Sequence, residues 1–162
     1  MSEKNLQALF LQSLKEVYFT EQQALKGLPA MARVAESDEL RSVFETHRGE
    51  TEDQIRRLER IFESLDQRVE ATPADGILGV VREGQATMDR FAGGEAFEAG
   101  LIAAAQAIEH YEIARYGTLV AWAEQLGLEE AADLLEESLE EETDTDEILS
   151  EIAEAAVNRE AV

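Results

Sequence analysis

Four long helical stretches can be read in this chain, and each carries acid on the stripe that should face inward. These acids are Glu21 in the first stretch, Glu50 in the second, Glu109 and Glu112 in the third, and Glu142 and Asp146 in the fourth. A carboxylate buried without a partner is costly and tends to protonate instead. Several buried together make physical sense mainly when a cation neutralises them. The pattern therefore points to an all-α helical bundle built around a metal site.

The apolar periodicity supplies the helices. The first spans about residues 3–35, with Leu11, Leu14, Tyr18, Leu25 and Leu28 on its stripe and Glu21 among them. Pro29 removes a backbone donor and is expected to kink or end it near Gly27. Ser37 is a good N-cap for the second helix, about residues 38–65, whose stripe reads Leu40, Phe44, His47, Glu50, Gln54, Leu58, Ile61. Three consecutive polar positions are too many for an ordinary bundle helix. A linker containing Thr72-Pro73 leads to a shorter helix, about residues 75–91, which Gly93-Gly94 breaks. The third long helix, about residues 95–125, has the stripe Ile102, Ala105, Glu109, Glu112, Tyr116, Leu119, and Ala103-Ala104-Ala105 permits a close helix approach. The fourth, about residues 128–158, has Leu135, Leu139, Glu142, Asp146, Leu149 and Ile152. Short turns near Glu36 and Gly127 make two antiparallel hairpins, with the shorter helix carrying the chain back between them. The 162 residues thus read as one domain, a four-helix bundle with one long crossover.

Glu21 and Glu50 lie about fifteen and fourteen residues either side of the first turn, and Glu112 and Glu142 about fifteen either side of the second. At 1.5 Å rise per residue each pair shares a level, so the six acids form a pseudo-twofold site for two metals. Oxygen-dominated ligation suits Fe, Mn or Mg over structural zinc, and carboxylates from facing helices are how di-iron and di-manganese bundles are built. The usual Glu-x-x-His is missing, since Asp53 and Thr145 stand third after Glu50 and Glu142. Glu50 and one of Glu112 or Glu142 are the candidates to bridge the metals. His47 either supplies the one imidazole or is a core histidine bonded to a carbonyl or carboxylate. Gln54 is either a metal ligand or a donor that orients a neighbouring carboxylate, and His110, one position off its stripe, is a ligand, a support to one, or a boundary residue. Tyr18 and Tyr116, each one turn from an acid, either hydrogen-bond to carboxylates or relay electrons as redox tyrosines.

The net charge of −22 repels phosphates and disfavours nucleic-acid and anionic-membrane binding. Without cysteine there is no disulfide, zinc ribbon or thiol nucleophile. Met1-Ser2-Glu3-Lys4 has no basic n-region or apolar h-region, so a cytoplasmic protein is expected. Only Lys4, Lys15 and Lys26 are lysines, and an acid-rich, lysine-poor surface matches the halophilic pattern of salt-accumulating organisms.

The segments Val17-Tyr18-Phe19-Thr20-Glu21-Gln22-Gln23-Ala24-Leu25, His47-Arg48-Gly49-Glu50-Thr51, Ile108 to Leu119 and Glu141 to Asp146 resemble the YciE/YciF family of ferritin-like stress proteins. The resemblance implies a ferritin-like bundle, a dinuclear metal centre, a ferroxidase role and a homodimer. The expected activity is oxidation of Fe(II), or Mn-based chemistry, with dioxygen or hydrogen peroxide in stress protection. Two alternatives stand beside it. One is a di-iron or di-manganese oxidase or catalase-like enzyme acting on a small substrate, which needs a pocket beside the metals. The other is a non-catalytic helical interaction protein whose buried acids pair with arginines.

Overall fold

A computed structural model describes residues 4–162. Among these, every regular element is helical: α1 (Leu6–Val34), α2 (Asp38–Ser64), α3 (Asp75–Phe91), α4 (Phe97–Gln125), α5 (Glu129–Ile152), a π-helical turn (Ala153–Val157) and the short α6 (Asn158–Glu160). The expected first helical residue, Glu3, lies outside the described residues.

Local chemistry sets the boundaries. The Asn5 side chain accepts from Ala8 N at 2.9 Å and starts α1, and Ser37 Oγ accepts from Leu40 N and starts α2. The turn between them is pinned from outside, because Glu36 N and Ser37 N both donate to Glu98 Oε1, at 2.9 and 2.7 Å. Gly127, at φ +70°, makes the left-handed step that lets α5 fold back on α4. Pro29 does not end α1, which continues to Val34. The proline removes one backbone donor, but Leu28, Met31 and Ala32 around it are buried in the core and hold the last turns.

The packing of α1, α2, α4 and α5 is cyclic: α1 meets α2 and α4, and α5 meets α4 and α2. α3 lies on α4. Gly84 makes that approach possible, since a Cβ there would stand 3.0 Å from the Ala104 Cβ. The linker before α3 crosses α1, with Thr72 N donating to Lys15 O at 3.1 Å. α3 itself buries only Ile77, fewer residues than its apolar sequence suggests.

Two apolar clusters fill the interior. One joins Phe10, Leu14 and Val17 of α1 to Leu58, Ile61 and Phe62 of α2, Tyr116 and Leu119 of α4, and Leu134 and Leu135 of α5. The other joins Leu28 and Met31 to Leu40 and Phe44, Leu101 and Ile102, and Leu149 and Ile152. Early α1 thus meets late α2, and late α4 meets early α5, as antiparallel hairpins require. On each of the four helices buried polar residues fall between the two clusters, and Ser13 alone of those described lies within the first, between Phe10 and Leu14. Those between the clusters include Glu21 on α1, His47, Thr51 and Gln54 on α2, Glu109 and Glu112 on α4, and Ser138, Glu142 and Thr145 on α5.

Two expected stripes are shifted. On α1 Leu14, Tyr18, Glu21 and Leu28 are buried as expected and are joined by Phe10, Val17 and Ala24, with Leu11 and Leu25 at the edge. On α2 Thr51 takes the buried position beside Gln54, and Glu50 turns to the rim with its side chain 33% exposed.

Candidate metal centre

The polar layer is a cluster of carboxyl groups around one imidazole. His47, Glu109, Glu112 and Glu142 each offer a ligand atom, and these atoms lie within 4.8 Å of one another. His47 is 2% exposed and Glu142 is fully buried. The two faces of the imidazole are occupied differently. Nε2 lies 3.3 Å from Glu109 Oε2 and 3.4 Å from Glu142 Oε2. Nδ1 lies 3.0 Å from Glu50 Oε2 and 3.1 Å from Thr145 Oγ1. The α2 backbone is held there by Thr51, whose hydroxyl donates to His47 O at 2.9 Å.

Glu21, fully buried on α1, accepts a hydrogen bond from the Tyr116 hydroxyl. Tyr18 donates instead to Glu59, at 3.0 Å, and meets Phe62 edge to face. Gln54 Nε2 donates to Glu141 Oε2 at 3.0 Å, and Glu141 is clamped by both terminal nitrogens of Arg57. Asp146 stands outside the inner group. It accepts from Gln106 Nε2 and pairs with His110 Nε2 at 3.1 Å, His110 being on the surface. The four-residue group thus contains three of the six acids singled out above, together with His47. Glu21 adjoins it through the layer, while Glu50 and Asp146 lie at its rim.

Thr51, Thr145, Glu141 and Arg57 were not singled out by their sequence positions. The usable signal was helical phase. Thr145 occupies the third position after Glu142, where a second metal-facing group would stand, and its hydroxyl is buried against His47.

Crowding of carboxyls out of water shifts their protonation. Burial, and then the neighbouring Glu142 charge, push Glu21 up to about 8. The same two causes hold Glu112 well above the usual carboxylate range, and burial followed by its hydrogen bond with Glu142 does so for Glu109. Burial also pushes the Tyr116 phenol up, reinforced by the charge of Glu21. His47 is pulled down by burial, but its contacts with Glu142 and Glu50 outweigh this and hold it well above the ordinary histidine value. Burial pushes Glu142 up, yet its contacts with Glu109 and His47 bring it below the usual value.

The donor set fits a hard or borderline divalent cation. Six buried carboxyl oxygens have no hydrogen-bond donor: Glu21 Oε2, Glu109 Oε2, both oxygens of Glu112 and both of Glu142. Buried acceptors are normally satisfied, and one cation can satisfy several at once. Oxygen donors with one imidazole could hold a metal ion.

Residues 5–162 match the family described as "Domain of unknown function (DUF892)". Protein YciF of Escherichia coli (strain K12) is 38% identical over 162 residues, covering 99% of this chain and 98% of its own. The crystal structure of the E. coli stress protein YciF superposes with a TM-score of 0.91 at 37% identity, covering 97% of this chain and 99% of that one. YcfI from Rhodopseudomonas palustris gives a TM-score of 0.89 at 37% identity, over 93% of this chain and 97% of that one. A Xanthomonas campestris pv. campestris protein gives 0.75 at 27% identity, over 96% and 94%.

Proposed function

The chain belongs to the DUF892 family, and from that premise we propose that it is a ferritin-like stress protein that oxidises Fe(II) at a dinuclear carboxylate-rich centre. The observation that carries this reading is the set of six donor-less buried carboxyl oxygens around His47. The cyclic packing of four long helices, with α3 as the crossover, supports a ferritin-like four-helix bundle.

Glu21, Glu109, Glu112, Glu142 and Nε2 of His47 are the groups that would hold the ions, two per chain, iron or alternatively manganese. A bound pair of this kind supplies electrons to dioxygen or hydrogen peroxide. The chain's own residues do the rest. Glu50 and the Thr145 hydroxyl engage Nδ1, which orients the ring and leaves Nε2 for the centre, the usual way a carboxylate directs a metal-bound histidine. Tyr116 fixes the Glu21 carboxyl. Glu21, Glu109 and Glu112 give up their protons when cations enter, so the loaded layer trades protons for metal charge. Asp146 and His110 pair with each other at the rim of this inner set.

The E. coli relative is described as a stress protein, and the same setting is proposed here, in the cytoplasm and as a homodimer. No helix of the described residues is long and apolar enough to cross a membrane. Pairing of the buried acids with arginine, which an interaction protein would need, has no support among the described residues. Arg57 pairs with Glu137 and Glu141, not with the inner acids.

The test is oxidation of anaerobically added Fe(II) after mixing with oxygen or peroxide, followed by absorbance and oxygen uptake. Wild type should oxidise Fe(II) faster than buffer, and Glu142→Ala should fall to the buffer rate. Equal rates for wild type and Glu142→Ala would reject the ferroxidase reading. Uptake that needs an added organic compound would favour the oxidase alternative, which a cleft beside the centre makes specific.

A further inference from the structure

An apolar cleft runs from the surface to the metal layer between α1, α3 and α4, with a volume of about 410 Å³. Its walls include Met31 of α1, Ile77, Val80 and Met88 of α3, and Ile108 of α4. Its inner end is formed by His47 and Glu109. At its mouth stand Val34 and Val81, 44% and 40% exposed. The crossover helix creates this space, because α3 buries only Ile77 and leaves the rest of its apolar face to the cleft.

We infer that this cleft binds a neutral, aliphatic small molecule and presents its inner end to the His47–Glu109 edge of the centre. Three observations carry the inference. The volume lies in the range of small-molecule sites, and the lining is mostly apolar with few polar groups, as such sites are. Of those polar groups, His47 and Glu109, 2% and 3% exposed, form the buried end, whereas Gln85 and Asp89 are exposed and leave an acid near the opening. The chain carries −22, so an anionic ligand approaching this mouth is repelled where a neutral one is not. An apolar site that reaches the polar layer positions a molecule against the centre. The inference deepens the metal-centre reading by naming a ligand class for that same site.

Gly27 offers a plug. It lines the cleft, and a Cβ there meets nothing within 4 Å. A Cβ at Gly27 thus enters open space, and Gly27→Leu adds a side chain to the cleft wall and improves helix propensity. Gly49 is also unobstructed and lies outside the lining, so Gly49→Leu is the matched control. Val81→Asp, at an exposed position, places charge at the mouth and serves as a second variant independent of α1 packing.

The experiment is fluorescence titration of the folded full chain with the neutral apolar probe N-phenyl-1-naphthylamine, followed by competition with 1-decanol and with decanoate. Circular dichroism, light-scattering mass and iron content are recorded for each variant. Expected results are saturable probe binding, displacement by decanol but not by decanoate, and at least tenfold weaker binding in Gly27→Leu and Val81→Asp with Gly49→Leu unchanged. Absence of saturable binding, or equal binding by folded Gly27→Leu and wild type, overturns the proposal. Displacement by decanoate as readily as by decanol overturns the neutral class. Loss of dimer mass in Gly27→Leu with no change in probe affinity also overturns it, by showing that a second copy covers the cleft. Iron uptake with no probe binding defeats this proposal alone. Specific probe binding by a chain that takes up no iron supports the cleft and defeats the metal-centre reading instead.

Discussion

Moving the metal-free protein from pH 5 to pH 8 should weaken it steeply, and Glu21→Gln should remove a defined part of that loss. The folded chain holds the Glu21 carboxyl at about 8, against 4.5 when unperturbed. Between those values the folded state keeps a proton that the unfolded state has released. A raised folded value means stability that is fully present below pH 4.5 and is lost as pH rises through about 8. A tenfold difference in proton affinity is worth roughly 1.4 kcal/mol, so the three pH units remove about 3 to 4 kcal/mol through Glu21. That is a large fraction of the roughly 5–15 kcal/mol that holds a typical domain folded. Glu109, Glu112 and His47, all raised, act in the same direction, and lowered Glu142 acts against them. The assay is urea unfolding followed by helical circular dichroism, with chelator and 1 M KCl present. At that salt the Debye length is about 3 Å and the surface charges are largely screened. Wild type should lose about 3 kcal/mol more than Glu21→Gln between the two pH values. Parallel pH dependences for the two proteins would refute the reasoning, because the Glu21 proton would then make no difference to folding.

Three further outcomes are expected. Tyr116→Phe removes the buried donor to Glu21 and should cost about 1 to 3 kcal/mol while leaving metal uptake intact; lost uptake would make the tyrosine part of the binding set. Phe62→Ala opens a cavity in the cluster away from the polar layer and should cost about 3 to 5 kcal/mol, with metal stoichiometry unchanged in folded protein. The midpoint of thermal unfolding should climb steeply with KCl, because a charge of −22 repels itself until screened; a midpoint flat from low to molar salt would remove the halophilic reading.

Helical phase explains both what could be read from the residues and what could not. On α4 the apolar stripe is unambiguous, and Glu109 and Glu112 are buried where it places them. On α5 two continuations from Glu142 compete. Each residue turns about 100°, so Thr145 and Asp146 fall on opposite sides of Glu142. The buried side is fixed by Ser138 and Leu149, which share the Thr145 side, and Asp146 is left at the rim. The same ambiguity on α2 separates Thr51, which is buried, from Glu50, which is not. Single-residue phase errors of this kind are invisible in a short stripe and become visible only when neighbouring helices pack. The depth of His47 has a different origin. An imidazole between Phe44 and Glu50 on one stripe reads equally as core or as ligand until the acids on α4 and α5 are placed around it. The cleft had no sequence signal at all, because it depends on where the crossover helix comes to rest.

Everything proposed for the centre depends on its taking up metal. The most direct measurement is elemental mass spectrometry on chelator-free protein, before and after anaerobic Fe(II) loading and removal of unbound ions. The account predicts about two ions per chain, the number held by dinuclear carboxylate bundles, falling to none in Glu142→Ala. A folded wild-type chain that holds no metal and takes up none on loading would contradict it.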